Sequence, residues 1–255
     1  MATVRLYVDA ALSEGQPVPL TRDQAHYLFA VMRLSAGDRL HVFDGRTGEW
    51  RAEVAAADRK GGALICREQT QPLRPPPDLW LLFAPVKKAR TDFIVEKAVE
   101  MGAARLLPVV TEFTNAERVR RDRLQAHAVE AAEQCGATVV PEVAEAARLD
   151  RVLADWPAER RLYWADETAS GAAAFAEPGP AAILTGPEGG FSAAERDRLR
   201  ALPFVSPVAL GPRILRADTA AVAALALWQS AQGAWRRPAF CAPRPGRRLP
   251  AGARG

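Results

Sequence analysis

Ile183-Leu-Thr-Gly-Pro-Glu-Gly-Gly-Phe-Ser192 decides how this chain folds. An apolar run ends at Thr185 in the manner of a buried strand, and Ser192-Ala-Ala-Glu195 has the reciprocal capping pattern that opens a helix. Between them Gly186, Gly189 and Gly190, with Pro187, predict a tight loop of bare backbone at the carboxyl end of a strand. Main-chain N–H and C=O groups there can approach a flat ligand such as adenine or ribose. No lysine follows the glycines, so the segment is not a phosphate-cradling P-loop. An ordinary strand-to-helix turn accounts for the same glycines, and on this segment alone both explanations stand.

A second segment repeats the arrangement. In Val208-Ala-Leu-Gly-Pro-Arg-Ile-Leu-Arg-Ala-Asp-Thr-Ala220 a strand ends at Leu210, and a Gly-Pro loop leads into a helix over 218–232. That helix is apolar nearly all round and is therefore predicted to be buried. Arg213 and Arg216 lie among apolar residues at its mouth, where a charge is costly unless paired. Two explanations stand side by side: an ion pair with Asp218, or an arginine facing an anionic or carbonyl-rich substrate.

On both sides of these segments, from residue 79 onward, strands and helices alternate. Predicted strands cover 80–85, 105–110, 139–143, 161–165, 181–185 and 205–210. Helices are predicted from Thr91 as cap with Ile94, Ala98 and Met101 on one face and Gly102 as stop, and from Asn115 as cap with Leu124, Ala128 and Ala131 buried and Gly136 as stop. Such alternation implies a mostly parallel sheet with ligands at the carboxyl ends of its strands. No glycine-rich loop follows the first of these strands, which argues against a Rossmann-type methyltransferase. The first seventy residues differ. Strands at 5–9, 38–44, 49–55 and 63–68 surround one helix opened by the capping box Thr21-Arg-Asp-Gln24 and running towards Arg33, the pattern of a small β-barrel. The chain therefore divides into 1–70, a stiff proline-rich linker at 71–78 (Gln71-Pro-Leu-Arg-Pro-Pro-Pro-Asp78), an α/β domain at 79–235 and a basic, disordered tail at 236–255.

Composition narrows the function classes. Of 255 residues, 49% are hydrophobic and 25% charged, an ordinary globular balance. The longest apolar run, 220–228, falls far short of the roughly 20 residues of a membrane span, and the start Met-Ala-Thr-Val-Arg-Leu-Tyr has no secretory pattern. Cys66, Cys135 and Cys241 are scattered without metal-ligand spacing, which predicts a cytoplasmic protein with packing cysteines and no metal. Net charge is +4, yet residues 236–255 alone carry six arginines and no acid. The pI of about 9.2 is thus largely a property of the tail and does not mark a nucleic-acid face. The 34 basic residues include only four lysines, an arginine- and alanine-rich bias of the kind a GC-rich genome produces.

Gly186-Pro-Glu-Gly-Gly-Phe-Ser192 together with Leu210-Gly-Pro-Arg-Ile-Leu-Arg-Ala-Asp-Thr-Ala220 resembles the SPOUT superfamily, and more narrowly the bacterial 16S rRNA (uracil-N3)-methyltransferases. His26-Tyr-Leu-Phe-Ala-Val-Met-Arg33, the stretch 88–102 and Glu133-Gln-Cys-Gly136 agree in order and spacing, so the resemblance spans roughly 3–233. It implies a C-terminal α/β SPOUT trefoil-knot methyltransferase domain preceded by a small PUA-like RNA-binding β-barrel, and a homodimer acting on 16S rRNA of the small ribosomal subunit, with no membrane. S-adenosylmethionine (SAM) is the implied methyl donor, lined by Leu184, Gly186, Glu188, Gly189, Leu210, Gly211, Ile214 and Leu215. Three positions depart from the family: Glu112-Phe113 where an arginine follows the threonine of the second strand, Ala137 where an arginine follows Gly136, and Asp218 in place of glutamate. Two lost guanidiniums on the catalytic face would remove phosphate contacts.

Uracil N3 carries a proton and is a poor nucleophile until that proton leaves. Arg216 is the candidate catalytic residue, stabilising charge that develops on the uracil carbonyls. Glu188 and Asp218 are candidate bases, each equally able to bind SAM or pair with an arginine. Arg33, Lys87, Lys88 and Arg90 are the candidate RNA contacts, since helix-end and strand-end cations suit phosphates. The target must be flipped or already unpaired. The competing functions are a SPOUT enzyme for another RNA base or ribose, and a non-catalytic RNA-binding assembly factor.

Overall fold

The computed structural model describes residues 4–58, 61–115, 119–171, 175 and 178–236. Its N-terminal part is one five-stranded sheet: β1 (Arg5–Tyr7), β2 (Pro17–Pro19), β3 (Arg39–Phe43), β4 (Glu49–Asp58) and β5 (Gly61–Gln71), in the order β1-β3-β4-β5-β2. The edges β1 and β2 do not pair with each other. The Thr21 capping box is present and opens α1 (Arg22–Ala25), which continues as a π-helical run, His26–Val31. Ala25 and Leu28 from this helix join Leu40, Val42, Ala52, Val54, Leu64 and Cys66 in a closed apolar core. The Gln24 amide donates to the Tyr7 carbonyl at 2.9 Å, tying the helix to the β1 edge. The chain leaves the helix through Arg33, whose φ of 60° is the one left-handed non-glycine conformation among the described residues.

From Leu79 onward a second sheet forms. Its strands β6 (Leu79–Phe83), β7 (Arg105–Val110), β8 (Glu142–Val143), β10 (Arg161–Ala165), β11 (Ala181–Thr185) and β12 (Val205–Val208) run in the order β12-β10-β11-β6-β7-β8. Every pairing is parallel, and β9 (Ala147–Arg148) adds to the far end of β7. Helices cover both faces. On one, α2 (Lys88–Glu100), α3 (Arg121–Cys135) and α6 (Ala217–Ala231) pack on Leu79, Leu81, Phe83 and Ile183. On the other, α4 (Leu149–Ala154) and α5 (Ala193–Ala201) pack on Leu82, Leu162, Trp164 and Leu184. Double coverage explains why β6 and β11 read as unbroken apolar runs rather than alternating ones. After edge strand β12 the chain turns back across the sheet, and α6 packs on α2 and β11 near the centre. That return path beside the β11 loop is the one a knotted α/β domain requires, and periodicity alone never indicates it.

Three local expectations change. The second-domain helix begins at Lys88, not at a cap on Thr91; Thr91 is buried one turn in, where its hydroxyl accepts from Val86 N and donates to Val86 O, both at 3.0 Å. The next helix begins at Arg121, beyond Asn115, with no side-chain cap. Helix α6 is not buried all round, since Leu227 is 43% exposed. The tail predicted to be disordered lies outside the described residues, apart from Arg236 at the end of a short 3-10 turn. Among the described residues no helix is long and apolar enough to cross a membrane.

The two sheets are joined by more than the proline-rich segment. Arg5 on β1 reaches across to cap the C-terminus of α3, donating to the carbonyls of Ala132, Glu133 and Ala137 at 2.7–2.9 Å. The same guanidinium pairs with buried Glu49 at 2.7 Å and lies over the Phe43 ring. Tyr7 N donates to the Glu133 carboxylate at 2.9 Å. Thr138 exchanges hydrogen bonds with the Arg74 backbone. Helix α3, the C-terminal layer and the first sheet therefore share one continuous packed interface.

Candidate active site

Three loops at the carboxyl ends of β10, β11 and β12 meet around one cavity of about 850 Å³. They contribute residues within 165–171, 186–191 and 208–217. This volume lies in the range of natural small-ligand sites. The Ser192 capping box sets the entry into α5 and hence the end of the middle loop, with Ser192 Oγ accepting from Glu195 N and Glu195 accepting from Ser192 N.

Besides lining the cavity, the glycines make room within the fold itself. A Cβ on Gly186 would come within 2.6 Å of the Phe191 ring, and one on Gly189 would sit 3.2 Å from Phe113 Cβ. Their bare backbones therefore admit neighbouring aromatic side chains of the protein itself. Gly190 and Gly211, at φ +69° and +107°, are glycines for conformational reasons. Gly186→Ala should accordingly destabilise the fold, because Phe191 is buried and packs edge-on against Trp164 at 5.6 Å. Overpacking of this kind costs about 1–3 kcal/mol; a denaturant midpoint equal to wild type would show that Phe191 moves aside freely.

Eight of the predicted site residues line the cavity: Gly186, Glu188, Gly189, Leu210, Gly211, Ile214, Leu215 and Arg216. Leu184 does not. Its side chain is fully buried on the α5 side of the sheet, one residue before the strand end. Ile214 is 87% exposed at the lip of the cavity, a large apolar surface with none of the described residues covering it. Arg213 and Arg216 also line the cavity, are exposed, and have no ion-pair or side-chain hydrogen-bond partner among the described residues. Arg216 stands at the N-cap position of α6.

Asp218 is not their partner. Arg90, expected to contact RNA, pairs with Glu188 and holds its Nε 3.9 Å from Asp218. The two candidate bases are thus bridged by one guanidinium. Lys87 and Lys88 are exposed at the start of α2, a turn from Arg90 or less, while Arg33 lies just beyond the first sheet's helix and not at the cavity. Of the departures from the family pattern, Glu112-Phe113 stands beside the cavity through the contact with Gly189. Ala137 does not: its carbonyl receives Arg5 at the junction between the sheets, so the loss of an arginine there leaves the cavity untouched.

The loop after β10 was missed. Asp166 is buried and accepts from Thr168 N and Oγ1, Arg196 and Arg200 at 2.8–3.2 Å. Arg196 also pairs with Glu167 and donates to the Phe191 carbonyl at 3.0 Å, fastening the β10 loop to the β11 loop. Nothing in its composition announced this loop, which has no glycine until Gly171. Its place after a predicted strand at the same sheet edge was the available signal.

Thr185 Oγ1, buried at the end of β11 immediately before the lining, has no hydrogen-bond partner among the described residues. Carboxylates at Glu167 and Glu188, cations at Arg213 and Arg216, apolar walls at Leu210 and Leu215, and open peptide edges suit a ligand that is part cation, part carboxylate and part flat heterocycle.

Comparison with known proteins agrees in both parts of the chain. Residues 74–229 match the RNA methyltransferase domain family, and residues 20–65 match the RNA methyltransferase PUA domain family. The ribosomal RNA small subunit methyltransferase E of Synechocystis is 32% identical over 218 residues, covering 82% of this chain and 71% of that relative. Its counterpart from Rickettsia conorii is 26% identical over 229 residues, covering 87% and 93%. A crystal structure of ribosomal RNA small subunit methyltransferase E from Neisseria gonorrhoeae, bound to S-adenosyl methionine, superposes with a TM-score of 0.81 at 27% identity, covering 91% of this chain and 98% of that one.

Proposed function

The chain belongs to the RNA methyltransferase family, among the small subunit methyltransferases E, and on that premise we propose that it methylates N3 of a specific uridine in 16S rRNA, using SAM. The reading is carried by the three-loop cavity, whose mouth holds Arg213 and Arg216 without a side-chain partner among the described residues. SAM supplies a methyl on a sulfonium that must be met in line by the nucleophile, so most of the catalytic help is positioning. Gly186, Glu188 and Gly189 on one side and Leu210, Gly211, Ile214 and Leu215 on the other hold the cofactor. Arg216 faces the uracil carbonyls and stabilises the charge left when N3 gives up its proton. Glu188 and Asp218, the two candidate bases, are both engaged by Arg90.

The substrate is the small subunit or its rRNA in the cytoplasm, with residues 1–70 as the PUA-like RNA-binding unit, 71–78 as the join and 79–235 as the knotted methyltransferase unit. The protein works as a homodimer. Helices α2 and α6 pack together, and each leaves a large apolar side chain in solvent, Phe93 at 40% and Leu227 at 43% exposure. Arg33, Lys87 and Lys88 contact RNA phosphates. Reversing both lysines to glutamate should reduce the salt slope of rRNA binding by about two; a wild-type slope would place the RNA elsewhere. The function itself is tested by offering labelled SAM with small subunits, naked 16S rRNA and tRNA. Label in 16S rRNA alone supports it. Label in tRNA, or SAM binding without transfer to any RNA, contradicts it in favour of another SPOUT substrate or an assembly factor.

A further inference from the structure

One side chain outside the cavity connects two of the loops that line it. Arg90, on the first turn of α2, gives its Nη1 to Glu188 in the loop after β11. Its Nε lies 3.9 Å from a carboxylate oxygen of Asp218, in the first turn of α6. Arg90 itself is not part of the lining. Its two donor edges thus address two elements that approach the cavity from different strands of the sheet. A guanidinium is a rigid planar fork able to serve both carboxylates at fixed spacing, whereas a lysine ammonium is a single point on a flexible stem. On the opposite side Arg196 performs the matching task, joining Asp166 and Glu167 to the Phe191 carbonyl. The β11 loop is therefore held at one end by Arg196 and in its middle by Arg90.

We infer that Arg90 is a positioning residue for the cofactor. It fixes the separation of Glu188 from the start of α6, and acts on bound SAM only through those two loops. This rests on the SAM reading of the cavity. It also removes Arg90 from the RNA contacts expected from the sequence, since its donors are turned to carboxylates of the same chain. The side chain is 31% exposed and Glu188 is 49% exposed, and ion pairs of that exposure contribute little to global stability. The effect of removing it is thus read in ligand affinity rather than in unfolding.

The test uses the full-length protein and SAM itself, by calorimetry and by steady-state kinetics. Arg90→Ala should weaken SAM binding about tenfold, the scale of one charge-assisted contact. KM for SAM should rise with it, while kcat at saturating SAM stays within about twofold of wild type. Arg90→Lys should recover only part of the loss, because one ammonium cannot serve both carboxylates. The apo-protein unfolding midpoint and the salt slope of rRNA binding should not move. Unchanged SAM affinity with a shallower salt slope would overturn the inference and return Arg90 to the RNA. A fall in apo stability parallel to the loss of affinity would overturn it in favour of general structural support. Absence of SAM binding in the wild type would overturn this inference and the reading of the cavity together.

Discussion

Arg216→Ala should lower kcat about 10²–10³-fold while leaving the SAM dissociation constant within about threefold of wild type. The expectation follows from where the side chain stands. Arg216 is at the mouth of the cavity, at the N-cap position of α6, exposed, and without a partner among the described residues. A cation kept free beside an apolar helix contributes nothing to folding that an alanine would not, so its use lies with a group that arrives. When N3 of uracil loses its proton, negative charge spreads onto the flanking carbonyl oxygens, and a preplaced guanidinium stabilises that state more than the neutral base. Arg213→Ala serves as the comparison, because Arg213 shares the cavity and the exposure but sits farther from the α6 terminus in sequence. Parallel losses of kcat and SAM affinity at Arg216 would mean that the residue shapes the cofactor loop instead.

The second large effect concerns stability. Arg5→Ala should cost about 3–5 kcal/mol at neutral pH, the scale for breaking a buried pair by removing one partner. Arg5 is 12% exposed and Glu49 2% exposed, and the substitution also strips three carbonyls at the end of α3 of their donor. The pH dependence has a definite sign. Burial alone would raise the Glu49 carboxyl, but hydrogen bonds from Thr70 and Arg5, with the charge of Arg5, outweigh it and hold the group below its ordinary value. A depressed carboxyl contributes stability above its unfolded pKa and loses it as pH falls through the folded one. The penalty of Arg5→Ala should therefore be greatest near neutrality and shrink on acidification, as Glu49 becomes able to protonate. Glu133 adds in the same direction: burial raises it, Glu130 adds to that, and Tyr7 N and Arg5 oppose. Without Arg5 its ionised form is disfavoured further at neutral pH. Urea unfolding of both proteins across the acid range checks this, and a penalty independent of pH would show that lost packing on Phe43, not charge, dominates.

Local chemistry was legible where it is self-contained. The strands predicted at 161–165 and 181–185 coincide with the observed ones, because each is an apolar run with clear punctuation. Both capping boxes, Thr21 with Gln24 and Ser192 with Glu195, need only side chains three residues apart, and both are present. What escaped depends on distant partners. Thr91 and Asn115 carry good capping side chains, yet Thr91 is drawn to the Val86 backbone by the bend leaving β6, and α3 starts instead at Arg121. Strand β2, Pro17–Pro19, has two prolines and pairs at a sheet edge where their missing donors do no harm. In the site, the lining from β11 and β12 was visible as two loops in sequence. The bridges from Arg90 to Glu188 and from Arg196 to Asp166 join residues 98 and 30 positions apart, and no periodicity encodes them. The glycines were visible too, but the neighbours that require Gly186 and Gly189 to be glycine, Phe191 and Phe113, appear only in the packed fold.

The chemical identity of the product separates transfer to uridine N3 from every competing activity. Small subunits lacking this modification would be incubated with the purified protein and SAM, and the 16S rRNA digested and mapped by mass spectrometry. Methylation at N3 of a single uridine, abolished or nearly so in Arg216→Ala, is the result predicted here. Methyl transfer to a ribose oxygen or to a different base, or to many sites alike, would contradict it.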